Sequence, residues 1–258
     1  MVRGILSIAA ALGACGQPSE TEVPVWRPAP GTSWQWQLLG TIDETLDVAM
    51  YDIDLFDAPK EVIERLHARR VKVICYFSAG SHEDWRPDAT EFPTAVIGAP
   101  LEGWAGERWL DIRSAKVRSR MVARLDLARE RGCDGVEPDN VDGYANSSGF
   151  PLTARDQLQF NRFLAKKAHA RGLSIGLKND LEQVAILEPS FDWALDEECM
   201  QFDECDRLQP FIAAGKAVFH VEYGDAALAR KICPNANARE FDTLVKNLAL
   251  DGARIACR

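Results

Sequence analysis

Three stretches of the chain are built alike, and together they restrict what it can fold into. ARRVKVICYF (68–77), RERGCDGVEP (129–138) and HARGLSIGLK (169–178) each run from basic residues into a β-rich apolar segment. Basic side chains suit the last turn of a helix, where they face the carbonyl end of its dipole. Gly132 and Gly172 stand where a left-handed residue closes a helix. Each stretch therefore reads as a helix-to-strand joint. Strand patterns at Trp34–Leu39, Asp47–Ile53, Val71–Phe77, Asp134–Pro138, Leu173–Leu177, Phe191–Leu195 and Ala217–Val221 alternate with helical patterns at Pro59–Arg70, Ala115–Arg131, Thr153–Arg171 and Cys205–Ala214. Repeated β-loop-α units without a break predict one α/β domain over 26–258, a single (β/α)8 TIM barrel. A doubly wound sheet is the alternative, but no Gly-x-Gly-x-x-Gly follows any strand. The eighth strand falls in either Phe241–Leu248 or Ala253–Cys257.

The 258 residues are 47% hydrophobic, enough for one large core, and no apolar run is long enough to span a membrane. The formal net charge of -9 disfavours a nucleic-acid surface. Residues 1–15, MVRGILSIAAALGAC, are laid out as a signal peptide that ends in a Leu-x-x-Cys lipobox. On that reading Cys15 carries lipid, residues 16–25 are a tether, and the protein is an exported, membrane-anchored lipoprotein of a bacterial cell envelope, or secreted. Export permits disulfides. Cys199 and Cys205 close a short loop, and Cys233 and Cys257 can tie down the carboxy-terminal segment. Cys75, in the run VKVICYF, reads as a buried free thiol, and Cys133 as buried too. No Cys-x2-4-Cys pair supports zinc.

Residues 78–110 form a long excursion with Trp85, Trp104 and Trp109, which either stack on sugar rings or plug the barrel mouth. The chemistry shows at the strand ends. Acids close the second strand (Asp52, Asp54, Asp57), the fourth (Glu137, Asp139, Asp142), the fifth (Asp180), the sixth (Asp196, Glu197, Glu198) and the seventh (Glu222). In a barrel these ends converge on one face. Asp57, just before Ala58-Pro59, reads as a helix cap. Caps do not explain all five strands, because unpaired buried carboxylates are costly. Such a ring suits glycoside hydrolysis by two carboxyls, an oxygen-ligand metal site, or a glycan-binding lipoprotein that cuts nothing. The four histidines give the metal reading no support, and there is no Gly-x-Ser-x-Gly.

The residues then match a known pattern. Trp34-Gln-Trp-Gln-Leu38, Tyr51-Asp-Ile-Asp-Leu-Phe-Asp57, Val73-Ile-Cys-Tyr-Phe-Ser-Ala-Gly80, Trp109-Leu-Asp-Ile-Arg113, Gly132-Cys-Asp-Gly-Val-Glu-Pro-Asp-Asn140, Gly176-Leu-Lys-Asn-Asp180, Glu197-Glu-Cys199 and Ala214–Tyr223 occur in order. Through them the chain resembles the endo-α-1,4-polygalactosaminidase family, glycoside hydrolase family 114, over residues 26–257. The resemblance implies a (β/α)8 barrel, cleavage within α-1,4-linked galactosamine chains, and no cofactor or metal. It places the chemistry on Asp139 and Glu197, with Glu137 and Glu198 as competing positions. Asp139 is then nucleophile or base, and Glu197 general acid. Tyr51, Asp54, Asn140, Asp142, Lys178, Asn179, Asp180, Glu198, Glu222 and Tyr223 are expected to contact the sugar. Lys178 reads equally as an ion-pair partner of Asp180 or Glu222. The implied partner is a cationic galactosamine polysaccharide, which a groove rimmed by Asp52, Asp54, Asp142, Asp180 and Glu222 would attract. The protein is expected to be a monomer.

Overall fold

Five helix-to-strand joints close in the same way. The residues with positive φ are Arg70, Gly132, Gly172, Gly215 and Glu240. In each joint the next amide reaches a carbonyl five residues back: Val71 to Leu66, Cys133 to Ala128, Leu173 to Ala168, Lys216 to Phe211 and Phe241 to Ala236. This Schellman geometry satisfies the orphan carbonyls of each helix and turns the chain directly into a strand. In a computed structural model that describes Met1 and residues 25–258, the result is a (β/α)8 barrel. Residues 2–24, on which the expected signal peptide, Cys15 and tether fall, lie outside the described residues.

The parallel strands are β1 (Trp34–Gln37), β2 (Met50–Asp54), β3 (Lys72–Ser78), β4 (Gly135–Asp139), β5 (Ser174–Lys178), β6 (Trp193–Glu197), β7 (Val218–Tyr223) and β8 (Asp242–Lys246). Between them lie α1 (Lys60–Ala68), α2 (Ala115–Arg131), α3 (Ala154–His169), α4 (Val184–Leu187), α5 (Gln209–Ala213) and α6 (Ala226–Ala238). The helix α6 carries Pro234 and was not among the helical patterns of the sequence. The eighth strand is the Phe241–Leu248 candidate. Ile255–Ala256 instead pairs antiparallel with β8. The segment before it lies along the seam to β1: the Leu250 carbonyl accepts from the Leu38 amide at 2.9 Å, and Trp34 Nε1 donates to the Asp242 carbonyl at 2.8 Å.

Side-chain alternation makes two cores. Trp34, Trp36, Met50, Ile74, Trp193, Leu195, Phe219 and Val221 fill the barrel. Tyr51, Ile53, Val73, Phe77, Val136 and Ile175 point outward against the helices. Gly176 is required in the interior, because a Cβ there would lie 2.2 Å from the Trp193 ring.

Cys75 and Cys133 are bonded to each other, which overturns the free-thiol reading. Cys75 lies on the outer face of β3, and Cys133 ends the joint that leads into β4, the strand paired with β3. Their 58-residue separation hid this proximity in the sequence. Cys199 is bonded to Cys205, and Cys233 to Cys257.

The 78–110 excursion is folded. Ser81–Glu83, Ile97–Pro100 and Glu107–Leu110 form an antiparallel sheet. Buried arginines pin it to the barrel. Arg86 binds Asp54 at 2.6 Å and Glu83 at 2.8 Å; Arg124 of α2 binds Asp88 at 2.8 Å and the Ser78 carbonyl at 2.6 Å. Asp57 does not cap α1, whose N-cap is Pro59; it lies 3.3 Å from Arg86. Arg86→Met leaves Asp54 buried without a counter-ion and Glu83 with only Arg124 at 3.6 Å. The expected loss is about 3–5 kcal/mol in denaturant unfolding.

Candidate active site

The carboxyl ends of the strands open into a cleft of about 900 Å³. The three strands that carry the central groups all leave the barrel through left-handed residues: Asn140 after β4, Asn179 and Asp180 after β5, and Glu198 after β6. Such conformations are uncommon outside glycine and gather at functional sites. They turn the chain sharply away and leave the last inward side chain of each strand at the cleft floor.

Those side chains are Asp139, Lys178 and Glu197. The Lys178 ammonium lies 3.2 Å from Asp139 Oδ1, 3.0 Å from Glu197 Oε2 and 2.9 Å from Glu137 Oε1. It also lies 4.8 Å above the Trp36 ring. Burial alone would lower the lysine pKa, but Asp139, Glu137 and Glu197 outweigh it and hold the group well above its ordinary value. Lys178 is thus a fixed cation. It donates a hydrogen bond to Glu137 and is in ion-pair reach of Asp139 and Glu197, not of Asp180 or Glu222.

Two tyrosines complete the pair. The Tyr76 hydroxyl donates to Asp139 Oδ2 at 3.0 Å, and the Tyr223 hydroxyl donates to Glu197 Oε1. Burial, with Asp139 beside Tyr76 and Glu197 beside Tyr223, pushes both phenols up, so they remain donors. The Asn140 amide donates to Asp139 Oδ1 at 2.7 Å, and its side chain to Ser78 Oγ at 2.9 Å. Asn179 Oδ1 accepts from the Glu197 amide at 3.0 Å. Gly80 must be glycine, since a Cβ would meet the Asn140 carbonyl at 1.7 Å.

Depth in the barrel and the strand ends sort the competing positions. Glu137 and Asp139 both point inward, but Glu137 lies one layer deeper and is 0% exposed, whereas the Asp139 side chain is 19% exposed at the rim. Glu198 lines the cleft but lies past the end of β6. Asp142 and Asp180 line the wall with Tyr144. Burial, together with Asp142, pushes the Asp180 carboxyl up to about 8. Burial likewise pushes Glu107, on the excursion sheet, up to about 7. Asp180 is protonated in the folded and unfolded chain below pH 3.8, and only in the folded chain between there and about 8. Its contribution to stability is complete at low pH and is lost as pH rises through about 8. Asp180→Asn should therefore lose less stability than the wild type between pH 5 and 9 in thermal unfolding.

Of the residues expected to contact the sugar, Tyr51 and Glu222 lie away from the cleft. Tyr51 points outward and is 0% exposed, with its hydroxyl on the Asp43 carbonyl at 2.6 Å. Glu222 has the parity opposite to Tyr223; it is buried and accepts from the Met200 amide at 2.8 Å, which anchors the loop closed by Cys199–Cys205. Asp52 is inward but fully buried beneath the cleft, and Asp54 at its edge is bound by Arg86. Tyr76, Trp36, Arg86 and Glu107 were missed in the sequence. Inward parity with Ser78, at the end of a strand, was the available signal for Tyr76. His220, Cys199 and Cys205 lie close enough to hold an ion. However, the sulfurs are bonded to each other and His220 is hydrogen-bonded to Thr243 and Glu222, so that donor set is spent. No helix among the described residues is long and apolar enough to cross a membrane.

The sequence matches the profile of glycoside-hydrolase family GH114 over residues 16–258. The chain belongs to family GH114. This GH114 protein is accordingly a glycoside hydrolase. It is similar to Aspergillus fumigatus Ega3, solved in complex with galactosamine, at 44% identity with a TM-score of 0.88, over 92% of this chain and 100% of that one. The glycoside hydrolase domain of PelA from Pseudomonas aeruginosa shares the fold at 14% identity and a TM-score of 0.68, over 87% of the GH114 chain and 97% of its own. No curated protein matches the sequence.

Proposed function

We propose that the chain is an endo-acting hydrolase of α-1,4-linked galactosamine polysaccharide, with Asp139 as nucleophile and Glu197 as acid/base. The observation that carries this reading is that both carboxyls meet on one ammonium. Two oxygens at 3.2 and 3.0 Å from Lys178 Nζ lie no more than about 6 Å apart, which is below the inverting spacing and admits the retaining one. The substrate follows from the family, from the galactosamine held by the Ega3 relative, and from charge. Galactosamine units are ammonium ions at neutral pH, and Asp142, Asp180, Glu107 and Glu198 line the cleft.

The polymeric form of the substrate is supported by the rim. Leu39, Trp85, Trp104, Phe202 and Leu248 are exposed large apolar side chains that border the cleft. Trp85 and Trp104 stand free to stack on pyranose rings, whereas Trp109 is buried. A cleft with such lips accepts a chain along its length. In the reaction, Asp139 attacks the anomeric carbon while Glu197 gives its proton to the departing oxygen. Water then displaces Asp139 as Glu197 takes the proton back.

The test is mass spectrometry of α-1,4-galactosamine oligomers after incubation with the purified protein, with NMR of the first-formed anomer alongside. Internal cleavage products with the α anomer formed first support the reading. Release of β anomer overturns the retaining step. Binding without cleavage favours a glycan-binding lipoprotein. Binding should also release protons at pH 7, because an ammonium lowers the raised pKa values of Asp180 and Glu107. Calorimetry in buffers of different ionisation enthalpy reads this, and Asp180→Asn should release fewer.

A further inference from the structure

Glu137 cannot touch a substrate, yet it binds the group that joins the two acids. It is 0% exposed; Oε1 takes the Lys178 ammonium at 2.9 Å, and Oε2 accepts from Trp36 Nε1 at 3.0 Å. The Trp36 ring lies under the same ammonium. Asp52, also 0% exposed, is beside Glu137, and burial and Glu137 together push its carboxyl well up. Barrel interiors are ordinarily filled by branched apolar side chains. Replacing a buried ion pair by apolar groups is commonly neutral or stabilising, so stability does not account for such a layer.

We infer that Glu137 is a positioning residue, which holds Lys178 where one ammonium balances whichever of Asp139 and Glu197 is ionised. The inference rests on the reading of those two as the catalytic pair. Before attack Asp139 is a carboxylate and Glu197 an acid. When the glycosyl–Asp139 ester forms, Asp139 loses its charge and Glu197, having given its proton to the leaving oxygen, gains one. The negative charge crosses from one partner of Lys178 to the other, and the second displacement returns it. Both oxygens are already within 3.2 Å of the ammonium, so neither step requires the lysine to move. A cation held between the two sites costs no reorganisation when the charge shifts.

The groups that face this centre are Asp52 from β2, Tyr76 from β3, Asp139 from β4, Glu197 from β6 and Tyr223 from β7, with Asp142, Glu107, Asp196 and Glu198 around them. Lys246 of β8 is spent on the carbonyls of Asp251 and Ala253. Burial pushes the Glu137 carboxyl up to about 7, so Glu137→Gln removes an anion from the ammonium from about that pH upward and leaves the rest. Lys178 then favours ionised Glu197 more strongly, so the acid deprotonates at lower pH.

The experiment compares wild type, Glu137→Gln and Trp36→Phe as intact proteins, with Asp139→Asn and Glu197→Gln alongside. The alkaline limb of kcat/KM should move to lower pH in Glu137→Gln, on the order of 1 pH unit. The kcat at pH 7 should fall about 10-fold or more, with KM little changed. Trp36→Phe keeps an aromatic ring but removes the donor to Glu137, and should shift the limb the same way by less. Carbon-13 carboxyl NMR titration of Glu197, its signal identified by its loss in Glu197→Gln, should show the same shift without substrate. An unmoved Glu197 titration in folded Glu137→Gln overturns the inference, whatever the rate. Retained activity in Asp139→Asn or Glu197→Gln overturns the parent reading instead. If Glu137→Gln does not fold, the Trp36→Phe titration decides.

Discussion

Asp139→Asn is expected to reduce cleavage of galactosamine oligomers by about a thousand-fold or more, and Glu197→Gln by a similar factor, with the fold intact. Both substitutions keep shape. The amide oxygen introduced by Asp139→Asn can still accept from Tyr76, and that introduced by Glu197→Gln from Tyr223, while the amide nitrogen replaces the oxygen that faces Lys178 and, at position 139, the Asn140 amide. What is lost differs. The Asp139→Asn variant cannot form the glycosyl ester, so no substrate rescues it. The Glu197→Gln variant cannot protonate the leaving oxygen, so a glycoside with a leaving group that needs no proton should recover most of the first step and accumulate the covalent intermediate. Burst kinetics with an aryl galactosaminide reads this. A variant of Glu197 that is equally slow on both substrate types would remove Glu197 from the acid role.

Loss of the Cys75–Cys133 bond is expected to be a large stability change. It closes a loop of 58 residues that contains the whole excursion and α2. In the chain-entropy treatment such a loop is worth about 4 kcal/mol. For a domain of this size that corresponds to a fall in Tm of roughly 8–16 °C. The comparison is thermal unfolding of wild type against Cys75→Ala/Cys133→Ala. A change of under about 1 kcal/mol would mean that Arg86, Arg124 and the antiparallel sheet already hold the excursion without the bond. The Cys199–Cys205 loop is short, so its rupture should matter less to stability than to the shape of the cleft wall beside Glu198.

The barrel was legible because its signals are local. A helix that ends in a left-handed residue followed by a β-rich run is written in ten consecutive positions. The same device recurs at Gly215 and Glu240, where the flanking sequence signals it less plainly. The acids at strand ends were legible because barrel topology brings every such end to one face. Their division of labour was not. Tyr51 and Glu222 follow the strand patterns as closely as Asp139 does, and only parity sends them outward to the helix layer. Cys75 looks like any apolar residue of a buried strand, and its partner is remote in sequence.

Sequence alone determined the fold class, the family and the short list from which the two proposed catalytic carboxyls come. Each depends on residue types at fixed spacing along one chain. Tertiary structure alone decided that Lys178, on β5, meets carboxylates from β4 and β6 at a single ammonium. It also decided which acids face the cleft and which are spent on Arg86, on the loop amides or in the barrel interior. Those outcomes depend on where neighbouring strands place their last inward side chain. That is set by strand register and by the left-handed exits at Asn140, Asn179 and Glu198, and no local pattern encodes either.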